Sequence, residues 1–195
     1  MTAQVYKDFL PNTLLNQLLG HILTQPHYYG HTSVPELDSL KPSWYICELD
    51  NDKFLSRAIL GFVVDKIKSK LSLGKLYANI QYAGQDGSFH TDNTTPHSRT
   101  AILMLSKTLP EGSGTFQIKK EGFQNKIETH NFEQNKLLYF KSNIEHKGNP
   151  PLEPGFPRVT LAIKMDMYTD KTNLMTRINS INGSEHTREE YEFKL

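Results

Sequence analysis

Leu76-Tyr77-Ala78-Asn79-Ile80-Gln81-Tyr82-Ala83-Gly84-Gln85-Asp86-Gly87-Ser88-Phe89-His90-Thr91-Asp92 is the stretch on which the fold turns. Leu76, Ala78, Ile80 and Tyr82 alternate with Tyr77, Asn79 and Gln81. A period of two is the mark of a strand with unlike faces. A glycine-bearing turn and a short extended piece, Phe89 to Asp92, follow. Upstream the period is that of a helix. Leu14, Leu15, Leu18, Leu19, Ile22 and Leu23 form one apolar stripe, with Asn12 or Thr13 as the expected cap and Gln25-Pro26 as the end. A strand-like run spans Ser43 to Leu49. Asp50, Asn51 and Asp52 offer caps for a second helix with stripe Phe54, Leu55, Ala58, Ile59, Phe62, Val63, Ile67 and Leu71, and Gly74 is its expected stop. Downstream, short strands are expected over Thr100 to Ser106, Thr115 to Ile118, Lys126 to Thr129, Leu137 to Phe140 and Arg158 to Met165, separated by Gly-, Pro-, Asn- and Asp-rich turns. The expectation is an α+β fold, mainly β: a sandwich or barrel with N-terminal helices packed on one side.

Composition narrows the function classes. Among 195 residues, Lys+Arg 22 stand against Asp+Glu 21, and hydrophobic residues make up 37%. That is too apolar for disorder, and it carries no basic footprint for nucleic acid or an anionic membrane. The longest apolar run, Ala58 to Val64, is far short of the roughly 20 residues of a spanning helix. No basic segment followed by an apolar core opens the chain, so a cytoplasmic location is expected. Cys47 is the single cysteine, which excludes an internal disulfide and a Cys-rich zinc site. One domain is expected over 1–169, with 170–195 a polar tail or appendage.

Chemistry centres on His90-Thr91-Asp92. Residues two apart in a strand face one side, so an imidazole and a carboxylate would share one space with Thr91 outside it. That pair suits Fe(II), Mn(II) or Zn(II). His97, His130, His146 and His186 are the candidates for a third ligand. His146 follows the apolar strand Leu137 to Phe140. Arg158 then opens a strand whose Val159, Leu161, Ile163 and Met165 are apolar, while Arg158 and Thr160 share the other face. A buried arginine requires a carboxylate. No acidic side chain is an obvious partner, and a ligand carboxylate would serve.

In order and spacing, His90-x-Asp92, His146 and Arg158-x-Thr160 resemble the Fe(II)- and 2-oxoglutarate-dependent oxygenases, in particular their prolyl 4-hydroxylase-like branch. The segment Tyr82 to Asp92, the strand Thr100 to Leu105 and the turn into Gly114-Thr115-Phe116 are similar to that branch, and the resemblance covers roughly Leu76 to Met165. It implies a double-stranded β-helix, or jelly roll. It implies His90, Asp92 and His146 as Fe(II) ligands, and Arg158, Thr160 and Tyr82 as partners of 2-oxoglutarate. With O2, the reaction implied is hydroxylation of a C–H bond, releasing succinate and CO2. Ascorbate is a further ligand that the resemblance admits. Asp92 occupies the ligand position that halogenating relatives give to a small residue, so hydroxylation is expected. Peptidyl proline is the first substrate class, by resemblance alone, and a free amino acid or other small molecule stays open. A nucleic-acid demethylase is not expected, because no second arginine follows on the Arg158 strand. A homodimer stays open.

Plainer readings stand beside these. His90 and His146 can be loop histidines, Asp92 a turn residue, Arg158 a surface residue, and Tyr82 and Thr160 simple packing. His97 and His130 read as ordinary polar residues, with His97 close enough in sequence to His90 and Asp92 to line the entrance of the site as the alternative. Trp44, Tyr28 and Tyr29 read as core, with a substrate wall as the alternative. Two other function classes remain, a non-catalytic jelly-roll binding module and a cupin-type metalloenzyme without an oxo acid.

Overall fold

A computed structural model describes residues 2–36, 41–120, 122 and 126–167. The expected appendage over 170–195 lies outside them. Among the described residues the order is β1 (Gln4–Tyr6), α1 (Asn12–Thr24), β2 (Tyr28–His31), β3 (Trp44–Glu48), α2 (Lys53–Ile67), β4 (Leu71–Gln81), β5 (Ser98–Met104), β6 (Phe116–Lys119), β7 (Ile127–His130), β8 (Leu137–Lys141), β9 (His146–Gly148) and β10 (Arg158–Met167). A seven-stranded sheet runs β1-β8-β5-β10-β4-β3-β2, and a three-stranded sheet runs β7-β6-β9. Every strand pair is antiparallel. Two facing antiparallel sheets with helices outside the larger one make the expected jelly roll. No described helix is long and apolar enough to cross a membrane.

Strand β10 organises the large sheet, paired with β4 on one side and β5 on the other. Its alternation divides the interior in two. Val159, Leu161, Ile163 and Met165 join Leu15, Leu18 and Ile22 of α1 and Leu55, Ile59 and Val63 of α2 in one core. Ala162, on the opposite face, joins Ile102, Met104, Phe116, Phe132 and Phe140 between the sheets. The helices therefore cover the back of the sheet and leave its front for the small sheet and the cavity.

Several local expectations are corrected. Helix α1 starts at Asn12 itself, after Pro11, and no side chain caps it. Helix α2 is capped as expected, with Asp52 accepting from the Leu55 amide at 2.8 Å. It stops not at Gly74 but at Lys68, whose φ of 56° is left-handed. Leu71 is then the first residue of β4, and Gly74 lies within that strand, where a Cβ would meet the Lys164 carbonyl at 3.3 Å. Phe54 is 85% exposed and leaves the helix stripe. Tyr28 and Tyr29 are each 61% exposed on β2, an edge strand, and not core, whereas Trp44 is buried.

Leu161 is fully buried at the centre of the back core. Leu161→Ala should cost about 3 kcal/mol, read as a lower urea midpoint with unchanged slope.

Candidate active site

The front of the large sheet and the small sheet enclose a cavity of about 230 Å³. His90, Asp92, His146, Arg158 and Thr160 all line it. One donor atom from each of His90, Asp92 and His146 lies within 4.8 Å of the others.

Backbone pairing brings them together. The Phe89 to Asp92 piece is not a full strand. It makes one bridge, in which the His90 amide donates to the His146 carbonyl at 3.1 Å and the His146 amide donates to the His90 carbonyl at 2.9 Å. The Asp92 amide donates to the Ser142 carbonyl at 2.9 Å. Because the piece is irregular, Thr91 also reaches the cavity wall, where strict alternation had put it outside.

Each imidazole is held by its Nδ1. That of His90 lies 3.1 Å from the Ser88 carbonyl and that of His146 lies 2.8 Å from the Ile144 carbonyl. A carbonyl only accepts, so Nδ1 carries the proton and Nε2 is left as the donor atom for a metal. The two Nε2 atoms face Asp92, at 3.6 Å from Oδ1 for His90 and 3.3 Å from Oδ2 for His146. Phe116 stacks on the His146 ring at 5.6 Å and Phe140 meets it edge-on at 4.8 Å. The ring is thus fixed by packing as well as by its hydrogen bond. Burial, with His146 adding to it, lowers the His90 pKa and favours the neutral, ligating form.

Asp92 is buried among donors. Thr100 Oγ1 donates to its Oδ2 at 2.6 Å, and Lys164 Nζ contacts the same oxygen. Burial alone would push the Asp92 carboxyl up. Lys164 and His146 outweigh burial and hold it well below the ordinary carboxylate range. Burial also works against the charge of Lys164, and Tyr77 and Asp92 outweigh it, so the ammonium is held above its usual value. This donor set of two imidazole nitrogens and one carboxylate fits a divalent first-row ion.

Arg158 lies 2% exposed at the first position of β10. Its Nε donates to the Gly114 carbonyl at 3.0 Å and its Nη1 to Gln81 Oε1 at 2.7 Å. Its Nη2 is buried with no hydrogen-bond partner among the described residues. Burial pulls its pKa down to about 9, which still leaves it charged at neutral pH. A Cβ on Gly148 would stand 2.9 Å from both Nη atoms, so that glycine leaves room for the guanidinium. A buried cation with a spare donor, open to a cavity, fits a ligand carboxylate.

Tyr82 is not in this cavity, contrary to the sequence reading. The alternation that puts Tyr77, Asn79 and Gln81 on its wall turns Tyr82 away, 41% exposed and edge-on to Tyr45 at 6.3 Å. His97 does not line the cavity either. Several wall residues escaped the sequence reading, among them Gln81, Tyr77, Lys164 and His31. Gln81 and Tyr77 were legible, since they lie opposite the apolar face of β4, and Lys164 lies at even spacing from Arg158. His31, at 5.4 Å from Trp44 and 6.1 Å from Tyr77, carries no sequence signal, because β2 arrives at this edge only through the sheet order.

No protein-family model matches the chain, and no curated protein matches its sequence. Solved structures do match its fold. A 2OG-Fe(II) oxygenase family member from Burkholderia pseudomallei superposes with a TM-score of 0.68 at 10% identity, covering 85% of each chain. The fold is that of the 2OG-Fe(II) oxygenases. A prolyl hydroxylase from Trichoplax adhaerens, in complex with a hypoxia inducible factor peptide fragment, gives 0.63 at 15% identity, over 90% of this chain and 87% of that one. The non-haem α-ketoglutarate-dependent epimerase SnoN of nogalamycin biosynthesis gives 0.64 at 11% identity, over 85% and 76%. Within this fold the cluster of His90, Asp92 and His146 shares one cavity with Arg158.

The histidines set one pH dependence. Burial lowers the pKa of His31, His90 and His130 below 6.5. A histidine that is harder to protonate when folded favours unfolding as it charges. Stability of the metal-free protein is therefore full above about pH 6.5 and falls as pH drops below that value. Asp92, with its pKa lowered, contributes no loss in this window. Urea midpoints at pH 7.5 and 5.5 check the sign: the lower pH should give the lower midpoint.

Proposed function

We propose that this protein is an Fe(II)- and 2-oxoglutarate-dependent oxygenase that hydroxylates a C–H bond. One observation carries the reading: a buried guanidinium with an unpartnered Nη2 shares a cavity with a His-Asp-His cluster. Either feature alone admits a plainer account. Together they match the two ends of one ligand, a chelating oxo acid with a distal carboxylate.

His90, Asp92 and His146 would hold the metal, leaving positions open for the cosubstrate. Arg158 would take the distal carboxylate of 2-oxoglutarate through Nη2, with Thr160, buried on the same face of β10, as a second donor. Gln81 and Gly114 hold Nη1 and Nε, so the fork is oriented before the ligand arrives. Phe116 and Ile102 give the wall an apolar part that limits water. Fe(II) with 2-oxoglutarate supplies the activation of O2, yielding succinate, CO2 and a hydroxylated product.

Peptidyl proline leads among substrates, supported by the likeness to the peptide-bound prolyl hydroxylase. A small molecule is the second reading, favoured by the likeness to SnoN. His31, Trp44 and Tyr77 form a ring-lined side of the cavity that suits a prolyl ring or another flat apolar group. A cytoplasmic location and a single catalytic domain belong to the same reading.

Under anaerobic conditions, Fe(II) followed by 2-oxoglutarate should give a weak visible charge-transfer band. His146→Ala and Asp92→Ala should each lose the band and succinate release while keeping the circular dichroism of the wild type. A folded wild type without the band would favour the non-catalytic module. Arg158→Gln should weaken 2-oxoglutarate binding by roughly 10- to 100-fold, since a charge-assisted hydrogen bond contributes about 1.5–3 kcal/mol; unchanged binding would favour the cupin-type reading. Gly148→Ala, by crowding both Nη atoms, should weaken 2-oxoglutarate in the same assay while leaving Mn(II) binding unchanged.

A further inference from the structure

Among the described wall residues, Lys164 carries a charge that the proposed reaction does not use. It stands on β10 with Arg158, Thr160 and Ala162, all at even spacing on the cavity face. Its side chain is only 19% exposed. The Nζ contacts Asp92 Oδ2 and lies 5.7 Å from the centre of the Tyr77 ring. The same oxygen also takes the Thr100 hydroxyl, so both donors crowd Oδ2, while Oδ1 faces His90.

The charge around the cavity is unusual for a cation site. Its described wall carries two cationic side chains, Arg158 and Lys164, against one carboxylate, Asp92. These three charges alone make the described wall net positive before any metal binds. A divalent ion entering alone meets a carboxylate already neutralised by Lys164. A dianion entering afterwards meets the metal, Arg158 and Lys164 together. In a partly buried site such charges interact strongly.

Resting on the reading of His90, Asp92 and His146 as metal ligands, we propose that Lys164 is a resident counter-ion that weakens binding of the bare metal and strengthens binding of the dianionic oxo acid to the loaded site. Lys164 acts on the metal through Asp92, as a positioning and charge-setting residue. It also keeps the buried carboxylate paired when no metal is present, which an unpaired charge at that depth would not tolerate.

The sign of the two effects separates this from a structural role. Mn(II) binding and 2-oxoglutarate binding to the Mn(II)-loaded protein are measured by calorimetry in wild type, Lys164→Met, Lys164→Gln and Lys164→Arg, with His146→Ala as control. Removing the charge should tighten Mn(II) about tenfold and weaken 2-oxoglutarate about tenfold, within the usual span of couplings between sites. Lys164→Arg, which keeps the charge, should stay within about threefold of wild type for both ligands, on the scale of a modest coupling. A purely structural lysine would weaken both ligands on removal, and that result overturns the proposal, as does unchanged affinity for either ligand. Should neither neutral variant fold, a folded Lys164→Arg that departs from wild type for either ligand overturns it. A wild type that does not bind Mn(II), or a His146→Ala that binds it equally well, fails the metal-centre reading itself.

Discussion

Two backbone hydrogen bonds, between His90 and His146 in both directions, are the constraint on which the site depends. They join a segment that follows β4 to the first residue of β9, a strand of the opposite sheet. Through them, two histidines that are 56 positions apart in sequence meet with ring centres at 4.6 Å. The Asp92–Ser142 bond then fixes the carboxylate in the same frame. The spacing of these three candidate ligands is therefore a property of sheet pairing, which is short-ranged and directional, rather than of flexible loops.

The cost of this arrangement is electrostatic. Arg158, Lys164 and Asp92 are charged groups withdrawn from water, each of which would destabilise the interior if unpaired. Lys164 and Asp92 neutralise each other. Arg158 is satisfied at Nε and Nη1 but not at Nη2. Among the described residues, Arg158 Nη2 is thus an unpartnered donor at the cavity, in a fold whose back is an ordinary apolar core. β10 makes this possible, because its alternate residues belong to two environments. The apolar set anchors the strand against both helices, and that packing holds the polar set in place on the front.

The strand and helix periods in the sequence were enough for most of the fold. The stripe of α1, that of α2 apart from Phe54 and Leu71, the alternation of β4 and β10 and the turn clusters between short strands correspond to elements of the structure. Failures came where local signals compete. Gly74 reads as a helix stop, yet the chain had already left the helix at Lys68, and a glycine in β4 instead permits close approach of the Lys164 carbonyl. Strands β1, β2 and β9 are three or four residues long and owe their existence to partners far along the chain. Nothing local announces them. For the candidate site, the residues His90, Asp92, His146 and Arg158, which the structure brings to one cavity, were legible because imidazole, carboxylate and guanidinium carry specific chemistry. Tyr82 was misplaced by following a motif over the alternation that surrounds it.

By itself, the sequence determined which residues carry charge or can ligate, and on which face of its own strand each of the regular ones lies, since both follow from covalent structure and a period of two. Tertiary structure alone decided which faces meet. It set the bridge between His90 and His146, the pairing of Lys164 with Asp92, the approach of His31 to Trp44 and the orphaned Nη2 of Arg158. These are contacts between segments remote in sequence, and they depend on register and sheet order, which no local pattern encodes.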